Sequence, residues 1–284
     1  MLGLYFVDFG VTHVVVPVPL QPYFHTHLID LGSLYYVYMS AISIFCPNSI
    51  NILAGVNGIE VGQSLVIAFL ISLNDALYLL PTVPQPHPAA DSHLFSLYLL
   101  LPFIAVSLAL LKHNWYPARV FVGDTYCYFA GMLFAVVGIL GHFSKTLLLL
   151  FVPQIFNFVY SAPQLVHIVP CPRHRLPRFN ARTGLLEPSV ATFDAEKPLR
   201  PLVGEVLKFL HAVGLLRVEV EAGSGRVTQT TNLTLLNLWL VWRGPLREDR
   251  LATEVLCMQA LVGLGGLLVR HRLALLLFTV DNRF

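Results

Sequence analysis

The sequence predicts an all-α polytopic membrane protein with about six transmembrane helices and a small cytoplasmic α+β insert. Of its 284 residues, 56% are hydrophobic and 12% are charged, whereas roughly a quarter of the residues are charged in soluble domains. The apolar residues gather in six windows that approach the thickness of a bilayer. One long polar segment separates the fifth window from the sixth. The net charge of +2 is too small to indicate nucleic-acid binding.

The six predicted spans follow one another with short loops between the first five. They are residues 33–47, 61–80, 95–111, 126–142, 146–162 and 252–269. Three tyrosines in the first span suit a membrane interface, and Asn74 and Asp75 interrupt the second near its end. Residues 1–20 lack the basic region and cleavage site of a signal peptide. They are typical of a hydrophobic helix end that runs into a Val- and Pro-rich extended loop.

The segment 163–251 differs from the rest, because it holds twelve of the eighteen Lys and Arg residues. Hydrophobic periodicity and turn residues predict its elements. These are a strand at 164–170, a turn at 171–178, a helix at 201–215, and a hairpin of 216–222 with 226–231. The chain therefore divides into a transmembrane bundle with polar loops (1–162), an insert (163–251), and a last helix with its tail (252–284).

Alternation of the spans places three polar segments on one membrane face: the loop 48–60, the loop 112–124 and the insert. Lys112, Arg119 and the basic residues of the insert all lie on that face. Cytoplasmic loops carry an excess of Lys and Arg, so this face is predicted to be cytoplasmic. The glycosylation sequon at 232–234 is then predicted to stay unmodified, since it never reaches a lumen.

The four cysteines indicate no special chemistry. Their spacing fits neither a disulfide framework nor a zinc site, so we expect buried, reduced thiols. They are Cys46, Cys127, Cys171 and Cys257.

Polar residues with possible chemistry lie in each of the three segments on the predicted cytoplasmic face. Asn48, Asn51 and Asn57 carry amides that could bind a metal or a sugar, or could serve turn formation alone. Asp124 begins a span, where a carboxylate either caps the helix or ligates Mg²⁺. In the insert, a proline-framed Arg-His-Arg run is either a phosphate site or a solvated charge cluster. On the same face, His113, Trp115 and Tyr116 are predicted to form a belt at the membrane–water interface rather than a catalytic site.

Four blocks of the chain carry a resemblance to a known family. They are 50-INILAGVNGIEVGQSL-65, 113-HNWYPARVFVGDTYCYFAGM-132, 136-VVGILGHFSKT-146 and 169-VPCPRHRLPR-178. They resemble the eukaryotic UDP-N-acetylglucosamine–dolichyl-phosphate N-acetylglucosamine-1-phosphotransferases, of glycosyltransferase family 4 type, which are related to the bacterial lipid I-forming transferases. The resemblance implies a multi-pass enzyme of the endoplasmic reticulum membrane with catalytic loops facing the cytoplasm.

The resemblance implies Mg²⁺-dependent transfer of GlcNAc-1-phosphate from UDP-GlcNAc to dolichyl phosphate, the first step toward the lipid-linked oligosaccharide of N-glycosylation. By the same resemblance, Asn51 and Asp124 are catalytic metal ligands, and the stretch from Ile44 to Ile52 accepts dolichyl phosphate. The substrate-binding residues it implies are Ile44, Phe45, Cys46, Asn48, Ile52, Asn57, Glu60, Arg173, His174 and Arg175. A homodimer is also implied.

The sequence departs from the family pattern in two ways. Members of the family have about ten spans, and they carry an adjacent Asp-Asp pair that occurs nowhere in this sequence. An N-terminally truncated chain is therefore expected. Two alternatives follow: a catalytically inactive membrane-bound binding or assembly partner, and a transporter or channel. The second draws on the span number alone, and transport pathways usually place more ionisable groups within the spans.

Overall fold

The computed structural model describes residues 5, 12–16, 18, 21–80, 89–193, 199–221 and 225–273. The described part begins with a short antiparallel hairpin of β1 (His13–Val15) and β2 (Leu28–Asp30), with the single-turn helix α1 (Gln21–Phe24) between the strands. Extended backbone was predicted for this region, and β1 shows it. Most of residues 1–20 lies outside the described residues.

The helices of the main bundle follow the predicted spans, with shifted ends. They are α2 (Ser33–Ile52), α3 (Ile59–Leu79), α4 (Ala90–Asn114), α5 (Gly123–Leu140), α6 (Ser144–Leu150) and α7 (Val152–Leu165). The axes of α6 and α7 meet at 69°, so the predicted span 146–162 is bent. The break precedes Pro153, which lacks the N–H that a continuous helix would use.

The insert contains two small sheets and two helices. The strands β3 (Arg178–Asn180) and β4 (Leu185–Glu187) form a hairpin. A second, antiparallel sheet has the order β5-β7-β6, from β5 (Val190–Thr192), β6 (Val218–Val220) and β7 (Val227–Thr231). The helix α8 (Pro201–Ala212) and the pairing of β6 with β7 confirm the predicted helix and hairpin. The helix α9 (Leu235–Arg243) leads to α10 (Glu248–Leu268), which ends in a π-helical turn, Val269–Leu273.

Among the described residues, four helices are long and apolar enough to cross a membrane: α3, α4, α5 and α10 with its π-helical extension. The bent pair α6–α7 raises the number to five. The first predicted span corresponds to α2, whose tyrosine, serine and asparagine residues leave it less apolar than the others. The chain is thus an all-α polytopic membrane protein with a small α+β insert, as the sequence predicts.

Two predictions of local secondary structure were wrong, and Cys257 is exposed where a buried thiol was expected. Residues 164–170 form no strand, because their amides bond to the end of α7: Val166 N donates to Ala162 O (2.9 Å), and Val169 N donates to Pro163 O (3.0 Å). The asparagine-rich loop begins later than expected, since α2 continues through Pro47 to Ile52. Asn48 and Asn51 are therefore helical residues.

The core of the bundle lies where α2 packs against α5. A Cβ added at Gly131 of α5 would lie 2.3 Å from the Cα and N atoms of Pro47, so the two backbones touch at this point. Buried side chains of α2, α5 and the break between α6 and α7 belong to the same core cluster, including Cys46, Phe134 and Phe151. This contact fixes the end of α2 relative to the start of α5, and both of these ends reach the candidate site.

Candidate active site

A cavity of about 410 Å³ opens at the end of the bundle where α2 ends and where α3, α5 and α9 begin. The proline-framed turn 171–177 (the arginine loop) forms its outer wall. The residues around it are Asn51, Ile52, Leu53, Ala54, Gly55, Glu60, Phe121, Gly123, Asp124, Cys127, Asn157, Arg173, His174, Arg175, Leu176, Pro177, Thr234 and Leu236. The three polar segments predicted to meet on one face therefore contribute to one concave site.

Asn51 reaches the cavity from the last turn of α2, and a buried glutamine fixes that turn. The Nε2 of Gln63 in α3 donates to Ile50 O (3.0 Å) and Leu53 O (2.7 Å), two carbonyls that the ending helix leaves free. Gln154 of α7 donates in turn to the Oε1 of Gln63 (3.0 Å). Asn51 is thus carried on a helix end that is anchored to two other helices.

Asp124 is the second residue of α5, and its exposed side chain lines the cavity. It follows Gly123, whose φ of +70° is costly for other residues. Within the described residues its carboxylate accepts no hydrogen bond, so it does not cap α5. The carboxylate oxygens stay available to a ligand, near the positive end of the helix dipole.

Glu60 supplies a second carboxylate to the same cavity from the first turn of α3. Its Oε1 accepts a hydrogen bond from Gly55 N at 3.3 Å. Mg²⁺ takes hard oxygen ligands, usually one or two carboxylates completed by phosphates and water. The two carboxylates and the amide of Asn51 are compatible with that chemistry. No group of three or more His, Cys, Asp and Glu side chains able to hold a metal occurs within the described residues.

The arginine loop adds positive charge to the lining of the same cavity. Arg173 and His174 are exposed, whereas the Nη1 of Arg175 is buried without a hydrogen-bond partner in the described part of the chain. A buried guanidinium nitrogen without an acceptor is costly. A bound anion would supply that acceptor, and phosphate suits the guanidinium fork.

The arginine loop comes close to the cavity floor because Gly55 has no side chain. A Cβ at Gly55 would lie 2.0 Å from the Cδ2 of Leu176, and the φ of Gly55 is +114°. Only glycine combines that backbone angle with such a close approach. Leu176 therefore covers the turn between α2 and α3, and the loop's arginines stay beside the cavity.

Several residues implied by the resemblance lie away from the cavity. The Nδ2 of Asn48 donates to Ile44 O at 2.7 Å, and the side chain of Ile44 is 67% exposed on the outside of the bundle. Cys46 is fully buried, and Phe45 packs against the ring of Phe158. Of the stretch from Ile44 to Ile52, Asn51 and Ile52 line the cavity.

Asn57 also does not line the cavity. Its backbone N donates to the Oε1 of Glu248 at 2.7 Å, which joins the α2–α3 turn to the start of α10. The belt residue Trp115 packs beside the same turn, since a Cβ at Gly58 would lie 2.7 Å from its ring.

Buried amides around the site were not singled out from the sequence. Asn114 accepts from Gly58 N (3.1 Å) and donates to Val120 O (3.1 Å), so it joins the two loops at the cavity. Asn157 accepts from Leu235 N (2.8 Å) at the start of α9. The sequence feature that could have identified them is the recurrence of Asn and Gln within or beside apolar runs. A buried amide there must find a hydrogen-bond partner, because an unpaired one is costly.

The sequence of the chain matches the family model described as glycosyl transferase family 4 over residues 1–142, half of its length. This chain belongs to glycosyl transferase family 4. It is 54% identical over 282 residues to the UDP-N-acetylglucosamine–dolichyl-phosphate N-acetylglucosaminephosphotransferase of Saccharomyces cerevisiae, across 99% of this chain and 62% of that relative. The protein of the same name from Schizosaccharomyces pombe is 53% identical over 283 residues, across 99% of this chain and 63% of the relative.

A more distant relative in the family is bacterial. The phospho-N-acetylmuramoyl-pentapeptide-transferase of Borrelia duttonii is 31% identical over 140 residues, which is 46% of this chain and 38% of that protein. The chain spans about three fifths of the length of the two yeast relatives.

Proposed function

We propose that this chain forms part of a transferase that moves GlcNAc-1-phosphate from UDP-GlcNAc to dolichyl phosphate. The products are GlcNAc-PP-dolichol and UMP, and the reaction is the first step toward the lipid-linked oligosaccharide of N-glycosylation. The names of the yeast relatives support the substrates. The observation that carries the proposal is that one cavity is lined both by two carboxylates and by Arg175, whose Nη1 is buried without a hydrogen-bond partner in the described part of the chain.

The reaction needs charge neutralisation more than covalent chemistry. An oxygen of dolichyl phosphate attacks the β-phosphorus of UDP-GlcNAc and forms a new P–O bond. The bond from that phosphorus to the bridging oxygen breaks, and the bridging oxygen leaves with UMP. Arg175 lines the cavity where it would bind the donor diphosphate; Arg173 adds a second positive charge, and His174 adds ring nitrogens that can form hydrogen bonds.

Asp124 and Asn51 would hold a Mg²⁺ ion, with Glu60 beside them. The bound ion would neutralise phosphate charge and polarise the phosphoryl group. The residues themselves set where the diphosphate lies, because Asn51 is fixed through Gln63 and Asp124 through the first turn of α5. Positioning of this kind accounts for a large share of the rate in phosphoryl transfer.

We place the site at the cytoplasmic face of the endoplasmic reticulum membrane. The support is the basic composition of the segments that form the cavity wall and the name of the relatives' reaction. The buried side chain of Asn232 gives a second reason why the sequon at 232–234 stays unmodified, since its Nδ2 donates to the Oγ of Ser189 (2.8 Å). The implied homodimer remains a prediction.

The test is transfer of labelled GlcNAc-phosphate to dolichyl phosphate in microsomes from cells whose own enzyme is disabled. The chain is expressed alone, or together with the part of the S. cerevisiae relative that has no counterpart in it. We expect Mg²⁺-dependent product in the second arm, abolished by chelation. Absence of product in both arms contradicts the proposal, and product from the chain alone shows that the Asp-Asp pair is dispensable.

A further inference from the structure

The arginine loop is held at both ends by a network of buried amides. Asn237, the third residue of α9, is fully buried, and its Nδ2 donates to Arg175 O at 2.8 Å. Gln164 near the end of α7 is also fully buried, and its Nε2 donates to Pro170 O at 3.0 Å. One carbonyl just before the loop and one within it therefore accept hydrogen bonds from side chains of neighbouring helices.

Ser189 and Asn232 connect these two amides. The Oδ1 of Asn237 accepts from Ser189 N (2.8 Å), and the Oγ of Ser189 donates to Arg175 O (3.2 Å). Asn232 donates to the same Oγ (2.8 Å), and its Oδ1 accepts from the Nε2 of Gln164 (2.8 Å). These bonds fix which end of each amide carries the nitrogen, because both ends have a defined partner.

Asn237 occupies a fixed position itself. Thr234, the N-cap of α9, accepts from the Nδ2 of Asn237 at 2.8 Å and from its backbone N at 3.4 Å. Thr234 and Leu236 line the cavity, so the start of α9 and the arginine loop share one wall. A polar network with its partners in place is rigid, and removal of one member leaves buried groups unpaired.

We propose that Asn237 is a positioning residue: it holds the backbone at Arg175 so that the guanidinium faces the cavity as a preformed site for a diphosphate. The inference rests on the proposed function for the identity of the anion. The claim that Asn237 fixes the conformation of the arginine loop does not depend on that function. Asn237 itself does not line the cavity, so an effect on ligand binding must pass through a bonded residue that does, and in this inference that residue is Arg175.

The first measurement is hydrogen–deuterium exchange of the purified chain in detergent. Asn237→Ala should speed exchange at least fivefold in peptides covering residues 170–179. Tyr160→Phe is the matched control, because it also removes one side-chain donor to a backbone carbonyl of the insert, Leu215 O (2.5 Å). It should leave exchange in those peptides unchanged. Equal exchange in Asn237→Ala and the wild type overturns the inference.

If Asn237→Ala does not fold, the variant Asn237→Asp can be used to test the same hydrogen bond. It retains the side-chain size and the acceptor for Ser189 N, and it loses the donor to Arg175 O. Thermal unfolding of each variant shows whether the bundle is intact. Fast exchange confined to residues 170–179 in a folded Asn237→Asp supports the positioning role, and unchanged exchange there overturns it.

The second measurement is a double-mutant cycle on the affinity for UDP, which tests the connection to the anion. Asn237→Ala should weaken UDP binding at least tenfold in the wild-type background and less than twofold in an Arg175→Ala background. Equal weakening in both backgrounds means a general structural role and overturns the inference. If the loop exchanges faster in Asn237→Ala but the wild type does not bind UDP, the proposed function fails while the positioning of the loop stands.

Discussion

At the scale of single residues, the site depends on side chains whose polar atoms are left free. Most buried polar groups of this chain have a partner, as is usual in folded proteins. The Nη1 of Arg175 is buried without one, and the exposed carboxylate of Asp124 accepts no hydrogen bond from the described residues. These two groups carry opposite charge and line one cavity. They are therefore the residues at which substitution should affect chemistry more than folding.

Asp124→Asn should lower the rate of transfer by a factor of about 100 or more, since it removes the negative charge that would hold Mg²⁺, the ion that would offset phosphate charge in the transition state. The thermal unfolding temperature should hardly change, because the carboxylate makes no hydrogen bond in the described structure. Asp91→Asn is a matched control: Asp91 is also exposed in the first turn of a helix, α4, but does not line the cavity. Equal activity of wild type and Asp124→Asn contradicts the assigned role.

A second residue-scale prediction concerns Asp75, which is buried and accepts from the Nδ1 of His93 (2.6 Å) and the Oγ of Ser96 (2.5 Å). Asp75→Ala leaves both groups unpaired, so we expect a loss of about 1–3 kcal/mol in the free energy of unfolding. Asp75 lies 15 residues along α3 from Glu60, which is about 22 Å along the helix axis. UDP affinity of the folded variant should therefore be unchanged.

The control for this variant is Leu73→Ala, which truncates an exposed side chain of the same helix. It should change the free energy of unfolding by less than about 0.5 kcal/mol. Unfolding in denaturant, followed by circular dichroism, measures both variants. A large change in UDP affinity for Asp75→Ala would show that the two ends of α3 are coupled.

At the scale of elements, glycine sets how closely the helices pack. A methyl group at Gly131 would collide with the backbone of Pro47, which cannot move as a flexible side chain could. Gly131→Ala should therefore cost about 1–3 kcal/mol of unfolding free energy, and it should shift the end of α2 that carries Asn51. Thermal unfolding in detergent measures the loss.

The matched control is Gly265→Ala in α10, where a Cβ would meet no atom within 4 Å. Both positions are glycines within membrane-spanning helices, and alanine has the higher helix propensity. Gly265→Ala should thus be neutral or slightly stabilising. Equal loss of stability in the two variants would attribute the effect to helix propensity and contradict the packing argument.

The elements also show what could be read from the sequence. The apolar windows located the bundle helices because the hydrophobic signal is long and continuous. The run 164–170 was wrongly predicted to be a strand. A short apolar stretch with Val and Ile has the same sequence pattern whether its amides bond to a neighbouring strand or to the end of a helix. The apolar window ended the first span at residue 47 and placed Asn48 in a loop, but packing against Gly131 keeps α2 helical to Ile52.

At the scale of the whole molecule, one end of the bundle gathers the cavity, the arginine loop and the insert. The sequence predicted this meeting from the alternation of spans, and residues from all three polar segments line the cavity. It could not predict the amide network, because Gln164, Asn232 and Asn237 are far apart along the chain and gain meaning only through the contacts of the fold.

The orientation of this end in the membrane is the last prediction. Cys171 is half-buried at the start of the arginine loop, whereas Cys46 and Cys127 are buried in the bundle. In sealed microsomes, whose outer face is cytoplasmic, a membrane-impermeant maleimide should label Cys171 without detergent. All labelling is done in a chain that carries Cys257→Ser, because Cys257 is an exposed thiol on the spanning helix α10 and could react itself.

The control for orientation is a second variant that carries Cys171→Ser and Asp91→Cys, with its thiol at the start of α4. The helix α4 begins at the opposite end from Lys112, the basic residue beside the predicted cytoplasmic loop. The thiol at position 91 should therefore react only after the membrane is permeabilised. The reverse pattern would place the carboxylates and arginines in the lumen, where basic loops are disfavoured, and would overturn the proposed orientation of this end of the bundle.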